Sequence, residues 1–191
     1  MSGLEGVAFA MALAMVLLNM RVHPAAWPLA IGSSAVYGVV FWEHRLYGDA
    51  TLQLLFIGMA AWGWWQWMRG TGADGAPLVV RALSRRGRFA TVAAIAVAWP
   101  AIGLVLAGFT DSDVPWWDAF PTAGSTVATV LLARKFVENW PVWIVVDIVA
   151  TALFAWKALW LTAALYAIFT ALAVAGWIAW RKLEARRAVR A

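Results

Sequence analysis

The sequence predicts an all-α integral membrane protein, and its composition and hydropathy both support this fold class. Of its 191 residues, 64% are hydrophobic and only 13% are charged, whereas a soluble domain averages about 45–50% apolar and about 25% charged residues. The mean hydropathy is +0.75. Cysteine is absent and the two histidines fall in predicted loops, so neither a metal site nor another cofactor is expected.

Seven apolar runs each predict one transmembrane helix. They cover residues 3–20, 26–43, 49–68, 89–109, 117–133, 139–156 and 159–180. Glu43-His44-Arg45 separates the second run from the third, and the basic loop 69–88 follows the third. Asp111–Asp113 follows the fourth run, Arg134-Lys135 follows the fifth, and Lys157 marks a tight turn before the seventh.

The basic residues predict the orientation in the membrane, because cytoplasmic loops are rich in Lys and Arg. Most of the 15 basic residues lie in loop 69–88, the C-terminal tail and the loop after the fifth helix, and only Arg45 and Lys157 fall on the other side. An outside N-terminus and a cytoplasmic C-terminus are therefore predicted. The distribution of the basic residues that give the net charge of +5 indicates anchoring at the membrane surface and not nucleic-acid binding.

An internal repeat organises the chain at an offset of 113 residues. Pairs of Trp, Pro and Gly match without a gap: Trp27-Pro28 with Trp140-Pro141, Gly63-Trp64 with Gly176-Trp177, and Trp67 with Trp180. A 3+1+3 arrangement follows, in which a connector helix joins two parallel three-helix repeats, as in small SWEET-type sugar transporters. The segments are 1–68 (first repeat), 69–88 (cytoplasmic loop), 89–109 (connector), 110–182 (second repeat) and 183–191 (basic tail).

Three polar residues on the sixth helix form the strongest candidate site. Asn139, Trp143 and Asp147 are spaced i, i+4, i+8, so a helix places them on one face, here named the polar stripe. A carboxylate near mid-membrane costs about 2.5–3.5 kcal/mol on insertion scales, so it should face protein, water or a ligand. An amide, an indole and a carboxylate together predict a site for a flat ring that carries hydroxyl groups.

Five further residues are candidate ligand contacts, each with a structural alternative. Gln53 could serve a ligand or a helix–helix hydrogen bond, and Asp49 could cap the third helix. Thr122 and Ser125 could reach a ribose or mediate close helix packing. Tyr37 lies midway along the second helix and needs a partner for its hydroxyl, from protein or ligand.

Other classes of function have less support in the residues. The helices contain no nucleophile–base pair and no two-carboxylate site, so no catalytic residue and no enzyme activity is predicted. A proton-coupled carrier would need a second buried titratable group beside Asp147. A purely structural protein would have no reason to keep that carboxylate where Ile would serve.

Five stretches, spread over both halves of the chain, resemble the PnuC family of nicotinamide riboside transporters. They are Trp27–Ser34 with Tyr37 and Leu46–Gln53 in the first half, and Phe120–Ser125, Ala133-Arg134-Lys135 and Glu138–Asp147 in the second. The resemblance implies a bacterial inner-membrane carrier that works by facilitated diffusion, with the vitamin precursor trapped inside by phosphorylation. It also implies a homo-oligomer, a trimer. Relatives of this kind are associated with thiamine, riboflavin and deoxynucleosides as well, so those substrates remain alternatives.

Overall fold

The computed structural model describes residues 3–43, 47–72, 75–110, 114–158 and 160–189. Within them the chain forms seven α-helices, as predicted. These are α1 (Gly3–Met20), α2 (Ala26–Glu43), α3 (Tyr47–Arg69), α4 (Arg85–Phe109), α5 (Pro115–Ala133), α6 (Asn139–Trp156) and α7 (Trp160–Ala188). By length and hydropathy, Arg85–Phe109, Asn139–Trp156 and Thr162–Arg187 are long and apolar enough to cross a membrane.

Two helices, α4 and α7, extend four or more residues beyond their predicted limits, for local reasons. Helix α4 begins at Arg85 and not at residue 89, because the Ser84 hydroxyl accepts a hydrogen bond from the Gly87 N–H at 3.1 Å and caps the first turn. Helix α7 continues to Ala188, so the basic tail is largely helical. Ala, Leu, Glu and Arg are good helix formers, and they continue the helix where the apolar run has ended.

The chain divides into two compact units, Met1–Val79 and Val80–Ala191. In the first unit, α2 packs against both α1 and α3. In the second unit, the helices pack in chain order, α4 on α5, α5 on α6 and α6 on α7. Each unit is therefore built from helices that are neighbours in sequence.

The turn between α1 and α2 recurs between α5 and α6 at the 113-residue offset. Val22 has φ 55° and Lys135 has φ 57°, so both occupy the left-handed region in which a non-glycine residue is strained. In both turns the next residue donates a backbone hydrogen bond across the end of the helix, from His23 to Leu18 at 3.0 Å and from Phe136 to Leu131 at 2.9 Å. These bonds satisfy carbonyls that a helix end otherwise leaves unpaired.

A tryptophan pair holds α2 against α3 in the first unit. The rings of Trp27 and Trp67 meet edge to face, with centroids 5.5 Å apart. Gly63 makes this approach feasible, because a Cβ at that position would lie 2.3 Å from the Trp27 ring. Buried aromatic pairs in this geometry contribute about 0.5–1.5 kcal/mol beyond their area.

The second unit contains the same arrangement between α6 and α7. Trp140 and Trp180 meet edge to face at 5.7 Å, and a Cβ on Gly176 would lie 2.6 Å from the Trp140 ring. All three residues stand 113 positions after their counterparts. The repeat seen in the sequence thus corresponds to a repeated local packing arrangement.

Candidate functional site

The start of α6 is fixed by the segment that precedes α4. Arg81 pairs with the α5–α6 turn through two backbone hydrogen bonds, from its N–H to the Lys135 carbonyl at 3.1 Å and from the Val137 N–H to its own carbonyl at 3.0 Å. Its guanidinium lies 4.7 Å from the centroid of the Phe136 ring, within cation–π range. Burial in this turn lowers the pKa of Lys135. Arg81 therefore holds the turn through both its backbone and its side chain.

Glu138, the residue immediately before α6, uses both carboxylate oxygens in this attachment. One accepts a hydrogen bond from the Leu83 N–H at 2.9 Å, and the other accepts one from Arg88 Nε at 2.9 Å. The pair with Arg88 is also a salt bridge. Glu138 therefore links α4 to α6 and fixes the position at which the polar stripe begins.

Asn139, the first residue of the polar stripe, is fully buried. Its exposed fraction is 0%, and its amide nitrogen donates to the Phe136 carbonyl at 2.7 Å. Its side-chain oxygen is buried without a hydrogen-bond partner among the described residues. A buried acceptor of this kind is unfavourable by about 1–3 kcal/mol unless a donor reaches it, and a ligand N–H could supply that donor.

Asp147 lies two turns farther along the same helix and is 5% exposed. Its backbone carbonyl accepts a hydrogen bond from the Thr151 hydroxyl at 2.7 Å, but no described residue donates to its carboxylate. Trp143, between the two, is partly exposed. Asn139 and Asp147 therefore face the interior of the second unit and not the lipid. Their role as ligand contacts remains a prediction.

Helix α5 carries two of the predicted site residues and passes close to the stripe. A Cβ on Gly124 would lie 2.3 Å from a methyl group of Val146, so α5 and α6 touch at this point. Ser125 is the residue after Gly124, and Asp147 is the residue after Val146. The Ser125 hydroxyl and the Asp147 carboxylate therefore lie at similar heights along the two helices. The Thr122 hydroxyl donates to the Asp118 carbonyl at 3.1 Å, whereas the Ser125 hydroxyl has no partner among the described residues.

The remaining predicted residues belong to the first unit. Tyr37 lies midway along α2, as predicted, and is partly buried. Gln53 packs against Gly38, the next residue of α2, with its Cβ 3.5 Å from where a Cβ of Gly38 would stand. Gln53 therefore lies at the α2–α3 contact. Asp49 lies in the first turns of α3, but its side chain is outside the part of the chain that the structure describes.

Sequence reasoning missed an aromatic cluster between α6 and α7. The ring of Tyr166 stacks on Phe154 with centroids 5.1 Å apart and meets Phe169 edge to face at 6.0 Å. Phe154 and Phe169 each match a Phe in the first repeat, whereas Tyr166 matches Gln53. The match of Phe154 and Phe169 with phenylalanines of the first repeat was the sequence signal that could have indicated this cluster. At this position of the repeat, the second unit therefore has the packed ring of Tyr166, whereas the first unit has the amide of Gln53.

Comparison with known proteins gives the family. Residues 2–182 match the model of the nicotinamide mononucleotide transporter family. The chain belongs to this transporter family. Membership, together with the apolar helices, makes the chain an integral membrane transporter.

Relatives of the chain include proteins named for two different cargoes. The nicotinamide riboside transporter PnuC of Escherichia coli is 26% identical over 180 residues, an alignment that covers 82% of this chain and 75% of that protein. The riboflavin/roseoflavin transporter RibM of Streptomyces davaonensis is 34% identical over 166 residues, covering 85% of this chain and 77% of that protein.

A solved structure of a similar protein has the same fold. The crystal structure of the vitamin B3 transporter PnuC aligns with a TM-score of 0.77 at 26% identity. The alignment covers 97% of this chain and 83% of that one. The similarity therefore extends over nearly all of the helices described above.

Proposed function

We propose that this protein carries nicotinamide riboside across the bacterial cytoplasmic membrane by facilitated diffusion. The observation that carries the proposal is the polar stripe, where a buried amide oxygen and a buried carboxylate have no hydrogen-bond partner among the described residues. Membership in the transporter family supports the class of function. A membrane helix keeps such groups where they contact a ligand or a water-filled path.

Each group of the polar stripe meets a chemical need of the proposed substrate. The Asn139 oxygen would accept a hydrogen bond from the carboxamide, and the Trp143 indole would stack on the pyridinium ring. The Asp147 carboxylate would offset the positive charge of that ring or accept hydrogen bonds from ribose hydroxyls. Ser125, near the level of Asp147, would be a second ribose contact, while Thr122, Tyr37, Gln53 and Asp49 complete the proposed set.

The proposed transport mechanism uses two parallel three-helix repeats with α4 as the connector. The matched turns at Val22 and Lys135 and the matched tryptophan pairs support this duplication. With the N-terminus outside and the C-terminus in the cytoplasm, the substrate would bind near mid-membrane, and rocking of the repeats would expose it to either side.

No group on the stripe has to react with the substrate. Phosphorylation of the substrate inside the cell would keep its free concentration low and maintain the inward gradient. Transport would then need no proton or ion gradient. Equal uptake into proteoliposomes with and without a pH gradient is the expected result, and strong dependence on that gradient would favour a proton-coupled carrier instead.

A trimer is part of the same proposal. Helix α4 presents Phe89, Val97, Leu104 and Phe109 as exposed apolar side chains, a surface suited either to lipid or to a second copy of the chain. The mass of the purified protein–detergent complex, measured by native mass spectrometry, tests the number of copies directly.

The deciding experiment is a binding screen on the purified protein. Quenching of tryptophan fluorescence should report nicotinamide riboside, and Trp143→Phe should reduce the quenching while preserving the fold. Thiamine, riboflavin and nucleosides complete the panel. If nicotinamide riboside fails to bind while one of these does, the substrate assignment is wrong.

Riboflavin is a second candidate, favoured by one observation. The riboflavin/roseoflavin transporter RibM is 34% identical, a higher value than the 26% of the nicotinamide riboside transporter PnuC of Escherichia coli. Riboflavin is also flat and hydroxylated, but its ring system is uncharged. Asp147 therefore helps to distinguish the two candidates, because a cationic ring gains direct charge attraction from it, whereas riboflavin could gain only hydrogen bonds through its hydroxyls.

A further inference from the structure

The C-terminal end of α7, which is cytoplasmic in the proposed orientation, carries a groove outside the proposed substrate site. The groove is shallow and open, has a volume of about 400 Å³, and is lined by residues of α7 alone, Trp177, Ile178, Arg181, Lys182, Glu184 and Ala185. It is named here the α7 groove. Trp180 is buried against Trp140 and does not line the groove, whereas the lining residues are exposed or partly exposed, so the groove opens to the surroundings of the unit.

With the start of α7 placed at the opposite face of the bilayer, the α7 groove falls at the edge of the hydrocarbon core. At about 1.5 Å per residue, Trp177 lies roughly 26 Å and Arg181 roughly 32 Å from the first residue of α7. A hydrocarbon core is about 30 Å thick, so the first side chain falls inside that thickness and the second just beyond it. Along the helix, the groove changes from apolar to basic where the membrane changes from acyl chain to headgroup.

The two ends of the α7 groove match the two ends of one phospholipid. Trp177 is 39% exposed and Ile178 is 50% exposed, and together they offer an apolar wall to acyl chains. Arg181 and Lys182 offer cationic donors at phosphate level, and a guanidinium binds phosphate oxygens in pairs. Glu184 adds one negative charge, so the lining residues have a net positive charge that favours an anionic headgroup.

We propose that the α7 groove binds one anionic phospholipid of the inner leaflet. The charge complementarity and the change from apolar to basic lining at the membrane boundary select this occupant. A free phosphate would use the basic end but not the wall formed by Trp177 and Ile178. The binding is distinct from general attraction of the basic tail, because Arg186 and Arg187 are exposed on the same helix but do not line the groove.

Native mass spectrometry of the purified full-length protein tests this proposal with phosphatidylglycerol and phosphatidylcholine as probes. The wild-type protein should retain one phosphatidylglycerol in preference to phosphatidylcholine. Because a basic residue at the membrane surface contributes about 1 kcal/mol of attraction, Arg181→Gln/Lys182→Gln should weaken that binding roughly tenfold or more. The control Arg186→Gln/Arg187→Gln removes the same charge and should change it much less.

Glu184→Gln should have the opposite effect on phosphatidylglycerol binding. It removes the negative charge from the lining and should tighten phosphatidylglycerol binding several-fold, a gain that a damaged fold would not produce. Trp177→Ala should weaken binding without a change of charge. Equal losses in the two double variants, or full release of the lipid by inorganic phosphate, would overturn the proposal.

Discussion

Arg88 Nε lies 2.9 Å from a carboxylate oxygen of Glu138, a contact that joins the first turn of α4 to the residue before the polar stripe. The second oxygen of the same carboxylate is 2.9 Å from the Leu83 N–H. Glu138 stands immediately before the candidate site, and its carboxylate contacts Leu83 and Arg88. It acts as a positioning residue for α6.

Replacing Glu138 should separate its two roles. Glu138→Gln keeps an oxygen acceptor for Leu83 and loses only the charge, so it should lower the free energy of unfolding by about 0.5–1 kcal/mol, since the Arg88 side chain is largely exposed. Glu138→Ala also leaves the Leu83 N–H unpaired and should lower it by roughly 1–3 kcal/mol. Unfolding in detergent, with Arg88→Gln to complete a double-mutant cycle, measures both. Equal effects of the two Glu138 variants would contradict this division.

The glycines beneath the tryptophan pairs should not tolerate a methyl group. Gly63→Ala and Gly176→Ala each place a Cβ within 2.3–2.6 Å of a buried indole ring, so each should destabilise the protein by about 1–3 kcal/mol. Gly58→Ala, in the same helix as Gly63, meets nothing within 4 Å and should stabilise α3 by about 0.5–1 kcal/mol. Thermal unfolding of the three variants checks the signs. A stabilised Gly63→Ala would show that the Trp27 ring moves aside easily.

Asp147→Asn should distinguish a cationic from an uncharged substrate. It keeps the size and the acceptor oxygen but removes the charge, so affinity for nicotinamide riboside or thiamine should fall roughly tenfold to a hundredfold, as expected for a charged hydrogen bond of about 1.5–3 kcal/mol. Affinity for riboflavin should fall less, because its uncharged ring loses no charge attraction and only its hydroxyls could contact Asp147. Isothermal titration of both ligands against wild-type and variant protein gives the ratio. Unchanged affinity for the cation would remove Asp147 from the proposed site.

The two hydroxyls of α5 should differ in their effect on binding. The Thr122 hydroxyl already donates to the Asp118 carbonyl, whereas Ser125 has no such bond among the described residues. Ser125→Ala should therefore weaken riboside binding by about threefold to tenfold, in line with one neutral hydrogen bond. Thr122→Val, which preserves side-chain shape, should change it less. The reverse order would make Thr122 the ribose contact.

The sequence was sufficient for the helices because lipid imposes a strong constraint. Every backbone group in hydrocarbon must be paired internally, so an apolar run of sufficient length is a helix. The predicted bounds of α1, α2 and α6 agree with the structure. The start of α4 and the end of α7 were missed, since a serine cap and a charged helical tail have no hydropathy signal.

The candidate site was predictable only where its residues share one helix. The i, i+4, i+8 spacing placed Asn139, Trp143 and Asp147 on a common face, and Asn139 and Asp147 are buried. The partners of Glu138 could not be foreseen in this way, because Arg88 lies 50 residues away along the chain. Periodicity reports which way a side chain points from its own helix but not which distant residue meets it.

The turns at Val22 and Lys135 have one backbone shape and unlike side chains. Exchanging cargo in such a protein would require new side chains at a few positions, with the helices and their connections left as they are. Because the backbone and the side chains can vary independently in this way, similar transporters can be named for chemically different vitamins.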